Sequence, residues 1–157
     1  QVLTTLQEDL RAFIGVYVFE ELCREWVWAE GERALGFLPE KVGSHWSQRK
    51  GQSIQLDVVA VSPRRKQLFI GEAKWGAGKV HRDVWTDLLA RSQKVIPQYL
   101  DEGWTVRYGL FARDGFTDAV EQAAQVSEGV LVDLPQLEDG LVGAAARAPK
   151  TSIQLEL

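Results

Sequence analysis

With 157 residues, 45% of them hydrophobic, the chain is long enough for one domain with a real core. A net charge of −4 gives no support to blanket nucleic-acid binding, so any such contact must come from a local basic patch. The single cysteine, Cys23, excludes an intramolecular disulfide framework and suits a reducing cytoplasm, and no apolar run approaches the length of a membrane span. The start does not read as a signal peptide, and the chain opens on Gln1 with no methionine anywhere; the expectation is a piece of a longer cytoplasmic protein.

From about Thr5 to Glu30, the residues Phe13, Val16, Phe19, Cys23 and Val27 recur at helical spacing, which predicts one long helix or two consecutive ones. Glu8 and Asp9 place acids early, as helix starts prefer. Glu20 falls on or beside the apolar stripe, whereas Glu21 and Glu25 lean to the polar side. Taken alone, Glu20 reads as an edge glutamate whose stem packs while its head reaches water. Gly31 to Pro39 predicts a connection, Lys41–Trp46 a first strand, and Gln48–Ser53 a polar turn around Gly51. Strands at Ile54–Val61 and Gln67–Trp75 flank a turn from Ser62 to Lys66, a β-hairpin with both strands largely buried. After a flexible loop at Gly76–Lys79, His81 to Leu100 predicts a helix with Val84, Leu88, Val95 and Tyr99 on one side, interrupted or ended near Pro97. Trp104–Ala112 alternates as a strand, Thr117-Asp118 caps a helix through Val126, and Val130–Leu134 is a short last strand. Residues 135–157 are weakly patterned, with Ala144–Ala148 a helix or a tail. The expected class is α/β, a single domain over 1–157 with its core at about 5–134. Three strands in a meander and a helical crossover then give a mixed sheet flanked by helices.

Three charges stand inside the buried hairpin: Asp57, Glu72 and Lys74. Strand alternation puts Glu72 and Lys74 on one face and Ala73 and Trp75 on the other. A hairpin centred between Arg64 and Arg65 sets Asp57 directly opposite Glu72. Like charges in that position destabilise a sheet, and buried carboxylates are costly unless paired or bound to metal, so the pattern calls for a divalent cation. A one-residue slip would separate the two acids.

Two other matches fail. His81-Arg82-Asp83 resembles a kinase catalytic loop, but the later asparagine and the glycine-rich loop are missing. Gly78-Lys79 resembles the end of a Walker A motif, but Val80 replaces the Ser/Thr. The segment is not an ATPase by itself. The two histidines, His45 and His81, lack metal-ligand spacing.

Asp57 followed by Glu72-Ala73-Lys74 resembles the PD-(D/E)XK nuclease superfamily, whose restriction-endonuclease-like core has the same α-β-β-β-α-β order. The stretches FEELCREWV, VGSHW, LDVVAV, GEAKW and YGLFARDGF further resemble the nuclease-like C-terminal domain of archaeal and bacterial P-loop ATPases, over roughly Phe13 to Leu134. The resemblance implies a DNA endonuclease dependent on Mg²⁺ or Mn²⁺, attached to a P-loop ATPase domain, or a non-catalytic DNA-binding or ATPase-interaction module on the same fold. It implies Asp57, Glu72 and the Ala73 carbonyl as metal ligands, Lys74 beside the attacking water and the phosphate, and Glu20 as the helical acid completing the site. Relatives often carry an acid two residues before the motif aspartate, where this chain has Gln55. Arg49, Lys50, Lys79 and Arg82, with Arg64, Arg65 and Lys66, are the available phosphate contacts, and Gln93 on the following helix is expected to face the pocket. Each basic residue taken singly reads as a solvated surface charge. Trp75 and Trp46 read as core residues, with base stacking as the alternative.

Overall fold

The computed structural model describes residues 2–49, 51–96 and 100–147. Its elements are α1 (Val2–Leu35), β1 (Lys41–Arg49), β2 (Gln52–Ser62), β3 (Gln67–Lys74), α2 (Arg82–Val95), β4 (Thr105–Ala112), α3 (Asp118–Val126), β5 (Val130–Asp133) and α4 (Leu134–Arg147). The five strands form one sheet in sequence order, with β1, β2 and β3 antiparallel and β3, β4 and β5 parallel. This is the expected mixed α/β sheet, reached through the expected α-β-β-β-α-β order. No helix among the described residues is long and apolar enough to cross a membrane.

Two cores sandwich the sheet. On one face Phe19, Cys23, Trp26 and Val27 of α1 and Leu137 of α4 pack on Val58, Ala60, Phe69, Ala73 and Phe111. On the other, Trp85 and Leu88 of α2 and Val120 and Ala124 of α3 cover Leu56, Leu68, Ile70, Leu110 and Ala112. Strand β3 lies between β2 and β4 with both faces covered, which is why it reads as a continuous apolar run. Gly71 and Gly109 stand side by side in β3 and β4. The rings of Phe69 and Phe111 meet edge to face above them at 6.3 Å. A Cβ on Gly109 would lie 2.7 Å from the Phe69 ring and 2.8 Å from the Val130 carbonyl, so only glycine fits there.

Several expectations need correction. Helix α1 runs unbroken through Gly31 to Leu35, because Gly31 sits under Pro39 and is itself buried in the packing. Strand β1 continues past Trp46 to Arg49, since β2 extends far enough to pair with it. Helix α2 starts at Arg82 and ends by Val95; Pro97 and Tyr99 lie outside the described residues, as does Phe13's side chain. Thr117 occupies the N-cap of α3 but makes no capping hydrogen bond, its hydroxyl being buried without a partner. The weakly patterned segment after 134 begins with a helix, α4, that closes over Trp26; a Cβ on Gly140 would fall 2.5 Å from the indole nitrogen. Trp26 and Trp85 are the core tryptophans, Trp75 is half-buried, and Trp46 is 64% exposed.

Candidate functional site

Strand β2 carries an irregularity where it matters most. Gly43 pairs with Val59 but His45 pairs with Leu56, so one residue of β1, Ser44, faces two of β2, Asp57 and Val58. This is a β-bulge, a device that re-aims a side chain and is common beside active sites. Its effect shows in the packing: Leu56 and Val59 both belong to the α2-side core, while Val58 belongs to the α1-side core. The alternation slips at Asp57.

The β2–β3 ladder has the register expected from the sequence, from Ser62↔Gln67 to Val58↔Gly71, and stops one pair before Asp57 and Glu72. There the Ala73 N–H, which a continuing ladder would direct to β2 backbone, donates instead to Asp57 Oδ2 at 3.0 Å. N–H and C=O of one strand residue point to the same side, so the Ala73 carbonyl also faces the gap between the strands. The structure thus corrects the simple picture of two carboxylates repelling each other across a regular ladder. Asp57 accepts a buried backbone bond, and Glu72 is held by cations from elsewhere.

A cavity of about 430 Å³ opens at this point, lined by Val16, Glu20, Gln55, Asp57, Glu72, Ala73, Lys74, Trp75, Gly76 and Arg91. The residues singled out in the sequence, Glu20, Asp57, Glu72, Ala73 and Lys74, therefore share one pocket. Lys74 Nζ lies 3.2 Å from Glu72 Oε1 on the strand face they share. Glu72 Oε2 is taken by the Arg91 guanidinium from α2. Arg91 also donates to the Gln55 carbonyl at 2.5 Å and to Asp87 at 2.7 Å. Gln55 holds the place where relatives often have an acid; its amide approaches Asp57 Oδ1 at a long 3.4 Å. Beneath, Arg24 donates to the Asp57 carbonyl at 2.7 Å and to Glu21 at 2.8 Å.

Burial first, and then the neighbouring Asp57 carboxylate, push the Glu20 carboxyl above the ordinary glutamate range, against the pull of Arg24. A raised folded-state pKa favours folding while the group is protonated, and that contribution is lost as pH rises through the folded value. At neutral pH, where a glutamate of the unfolded chain is ionised, Glu20 therefore costs stability. Glu20→Gln is expected to raise the melting temperature in chelator at pH 7 and to lose that advantage below about pH 4. Melting curves across this range check it; a variant that melts lower than the parent at pH 7 would contradict it. Cys23 lies next to this cluster, but burial and Asp57 push its thiol far up, so it is a core residue and not a nucleophile.

The basic residues are dispersed. Arg64 pairs with Glu40 and Lys66 with Asp101, in the β2–β3 turn at the far end of β3 from Lys74, and Arg65 is exposed in the same turn. Lys79 and Arg82 are exposed on the segment leading away from Gly76. Lys50 and the side chain of Arg49 lie outside the described residues. Gln93 is exposed and does not line the cavity. Arg91 holds the position expected of Gln93, because α2 buries Trp85, Leu88 and Ser92 and turns the residue three after Leu88 toward the strands. That helical phase was available in the sequence; the polarity of Gln93 pointed to the wrong neighbour.

Chemically the site offers three carboxylates and a backbone carbonyl, an all-oxygen donor set that suits a hard divalent cation better than zinc or copper. Among the described residues no three such groups converge on a common point, and Glu72 is held by Arg91 and Lys74. The types fit a cation; their ligation requires Glu72 to turn from its present partners.

A family model matches residues 1–92, more than half of the chain. The chain belongs to DUF234, described as "Archaea bacterial proteins of unknown function". The matched segment of this DUF234 chain contains Glu20, Asp57, Glu72, Lys74 and Arg91. No curated protein matches the sequence significantly. Among solved structures, a protein of unknown function, AF1548, is similar at 16% identity and a TM-score of 0.50, over 83% of this chain and 71% of that one, which shows a shared fold. The MspJI restriction endonuclease in complex with a 27-mer oligonucleotide is similar at 20% identity and a TM-score of 0.44, over 88% of this chain and 30% of that one.

Proposed function

We propose that this domain is a Mg²⁺- or Mn²⁺-dependent DNA endonuclease. The observation that carries the reading is the gathering of Glu20, Asp57, Glu72, Ala73 and Lys74, drawn from one helix and two strands, around one cavity at a β-bulge. Asp57, Glu72 and the Ala73 carbonyl would hold the cation, with Glu20 behind them. When bound, such a cation neutralises charge on the phosphodiester and makes a water more acidic. The chain's own contribution is positioning. The bulge and the Ala73 amide fix Asp57, and α1 sets Glu20 beside it. Lys74, freed from Glu72, is a compact donor for a non-bridging phosphate oxygen and the attacking water. The sequence resemblance further supports attachment to a P-loop ATPase domain in a longer protein, placed in the cytoplasm.

One observation favours a second reading, a non-catalytic module on the same fold. Both oxygens of Glu72 are already satisfied, by Lys74 and Arg91, an arrangement that ties β3 to α2 without any metal.

Lys74→Ala separates the two. Lysine acts on water and phosphate and not on the cation, so the variant is expected to bind Mn²⁺ at least as well as the parent while losing cleavage. Titration calorimetry with Mn²⁺ beside a cleavage assay reads both. Loss of Mn²⁺ binding together with a lowered melting temperature would mark Lys74 as structural and support the non-catalytic module.

A further inference from the structure

Trp46 is 64% exposed, an unusual position for the largest apolar side chain. It lies on β1 directly across from Gln55, the residue that lines the candidate active-site cavity and reaches Asp57. Paired residues on adjacent strands project from the same face, with Cβ atoms about 5 Å apart. That face is the α1 side: Val42, four residues earlier on the same strand, packs in the α1-side core. Glu20 and Val16 of α1 line the cavity from the same side. Trp46 is not itself a cavity-lining residue; it stands one strand out from Gln55, on the α1-side face of the sheet.

The hairpin that carries it reaches further. The β2–β3 pairing ends at Val58↔Gly71, whereas β1 and β2 stay paired as far as Arg49↔Gln52. From Asp57 to Gln52 the β1–β2 arm therefore continues beyond the last β2–β3 pair. Around Trp46 the arm exposes Ser44, Gln48, Gln52 and Ser53, with no second large apolar side chain among them. A protein-docking face groups several apolar anchors; a single aromatic ring among small polar groups suits a flat, polar-edged partner.

We infer that Trp46 is a stacking platform for an unpaired nucleobase next to the scissile phosphate, which makes the substrate class single-stranded or branched nucleic acid in preference to intact duplex. This rests on the nuclease reading of the cavity. The physical reason is accessibility: inside a duplex each base is stacked on both faces and offers no ring surface, whereas an unpaired base offers one to any exposed aromatic plane. Trp28 supplies an internal control. It is also an exposed tryptophan, at 48%, but it lies eight residues beyond Glu20 on α1, about 12 Å along the axis.

The experiment measures fluorescence anisotropy of labelled single-stranded, forked and blunt duplex oligonucleotides in Ca²⁺, with sedimentation and thermal melts of each variant. Trp46→Ala is expected to weaken single-stranded and forked binding roughly tenfold or more and to leave blunt duplex binding unchanged. Trp46→Phe should stay within a few fold of the parent, and Trp28→Ala should match it. The melting temperature of Trp46→Ala should match the parent, since the ring is mostly solvent-exposed. Unchanged single-stranded affinity in Trp46→Ala, equal losses on all three substrates, or a change in self-association without a change in DNA affinity would overturn the inference. In those cases Mn²⁺-dependent cleavage by the parent still leaves the nuclease reading standing. A parent that binds and cuts none of the substrates overturns both.

Discussion

Asp57→Ala is expected to destabilise the domain by roughly 1–3 kcal/mol in chelator and to abolish whatever gain in melting temperature the parent draws from Mn²⁺. The first effect follows from one bond. Ala73 is buried and its N–H donates to Asp57 Oδ2, so removing the carboxylate leaves a buried donor without a partner at the end of the β2–β3 ladder. The second effect follows from the proposed ligand set. Asp57→Asn tells the two apart: its amide oxygen can still accept from Ala73, so its stability cost should be small, and removing the negative charge beside Glu20 offsets part of that cost. The Asn variant should therefore melt near the parent in chelator yet respond to Mn²⁺ much less. Should it gain as much from Mn²⁺ as the parent does, Asp57 is a purely structural residue and the metal reading loses its main ligand.

Arg91→Met should produce two changes of opposite sign. In chelator the variant is expected to lose about 1–3 kcal/mol, because Glu72, itself buried, keeps only the half-exposed Lys74 as a cationic partner. Met retains most of the apolar volume of the arginine stem, which limits the packing loss. In Mn²⁺ the balance reverses. Arg91 occupies the Glu72 oxygen that a cation would use, and a positive charge at contact distance opposes a second one even at an effective dielectric near 20. Its removal should tighten Mn²⁺ binding by about tenfold, equivalent to about 1.4 kcal/mol. Calorimetry and melts in chelator and in Mn²⁺ read both changes. Weaker Mn²⁺ binding in Arg91→Met would show that the guanidinium organises Glu72 for the cation and does not compete with it.

The strands and their order were legible because β2 and β3 carry unbroken apolar runs around a polar turn, and the same pattern set the register up to Val58↔Gly71. The shared pocket of Glu20, Asp57, Glu72 and Lys74 was legible from helical and strand periodicity together with the resemblance of the Asp…Glu-x-Lys pattern. The bulge at Asp57 was not. Nothing in LDVVAV distinguishes a regular strand from one with an extra residue; that difference is made by β1, through Ser44 facing two residues at once. Arg91 was missed for a different reason. Leu88 marked the inward side of α2, but the polarity of Gln93 drew the reading away from the residue three after Leu88. Trp46 was read inward because tryptophan is usually buried, but it lies on β1 four residues beyond Val42, which packs in the α1-side core, and is left 64% exposed. Helix α4 escaped because a segment of small residues, Gly140 and Gly143 among them, has little apolar contrast, and it is the small residue at 140 that lets it close on Trp26.

The most direct measurement is cleavage of supercoiled plasmid and of a forked DNA substrate by the purified chain in Mn²⁺, beside the same reactions in chelator and with Asp57→Ala. The site geometry predicts phosphodiester cleavage by the parent only with the cation, and none by the variant at matched folded concentration. A parent that binds Mn²⁺ but cuts neither substrate, or an Asp57→Ala variant that cuts as fast as the parent, would contradict the nuclease reading.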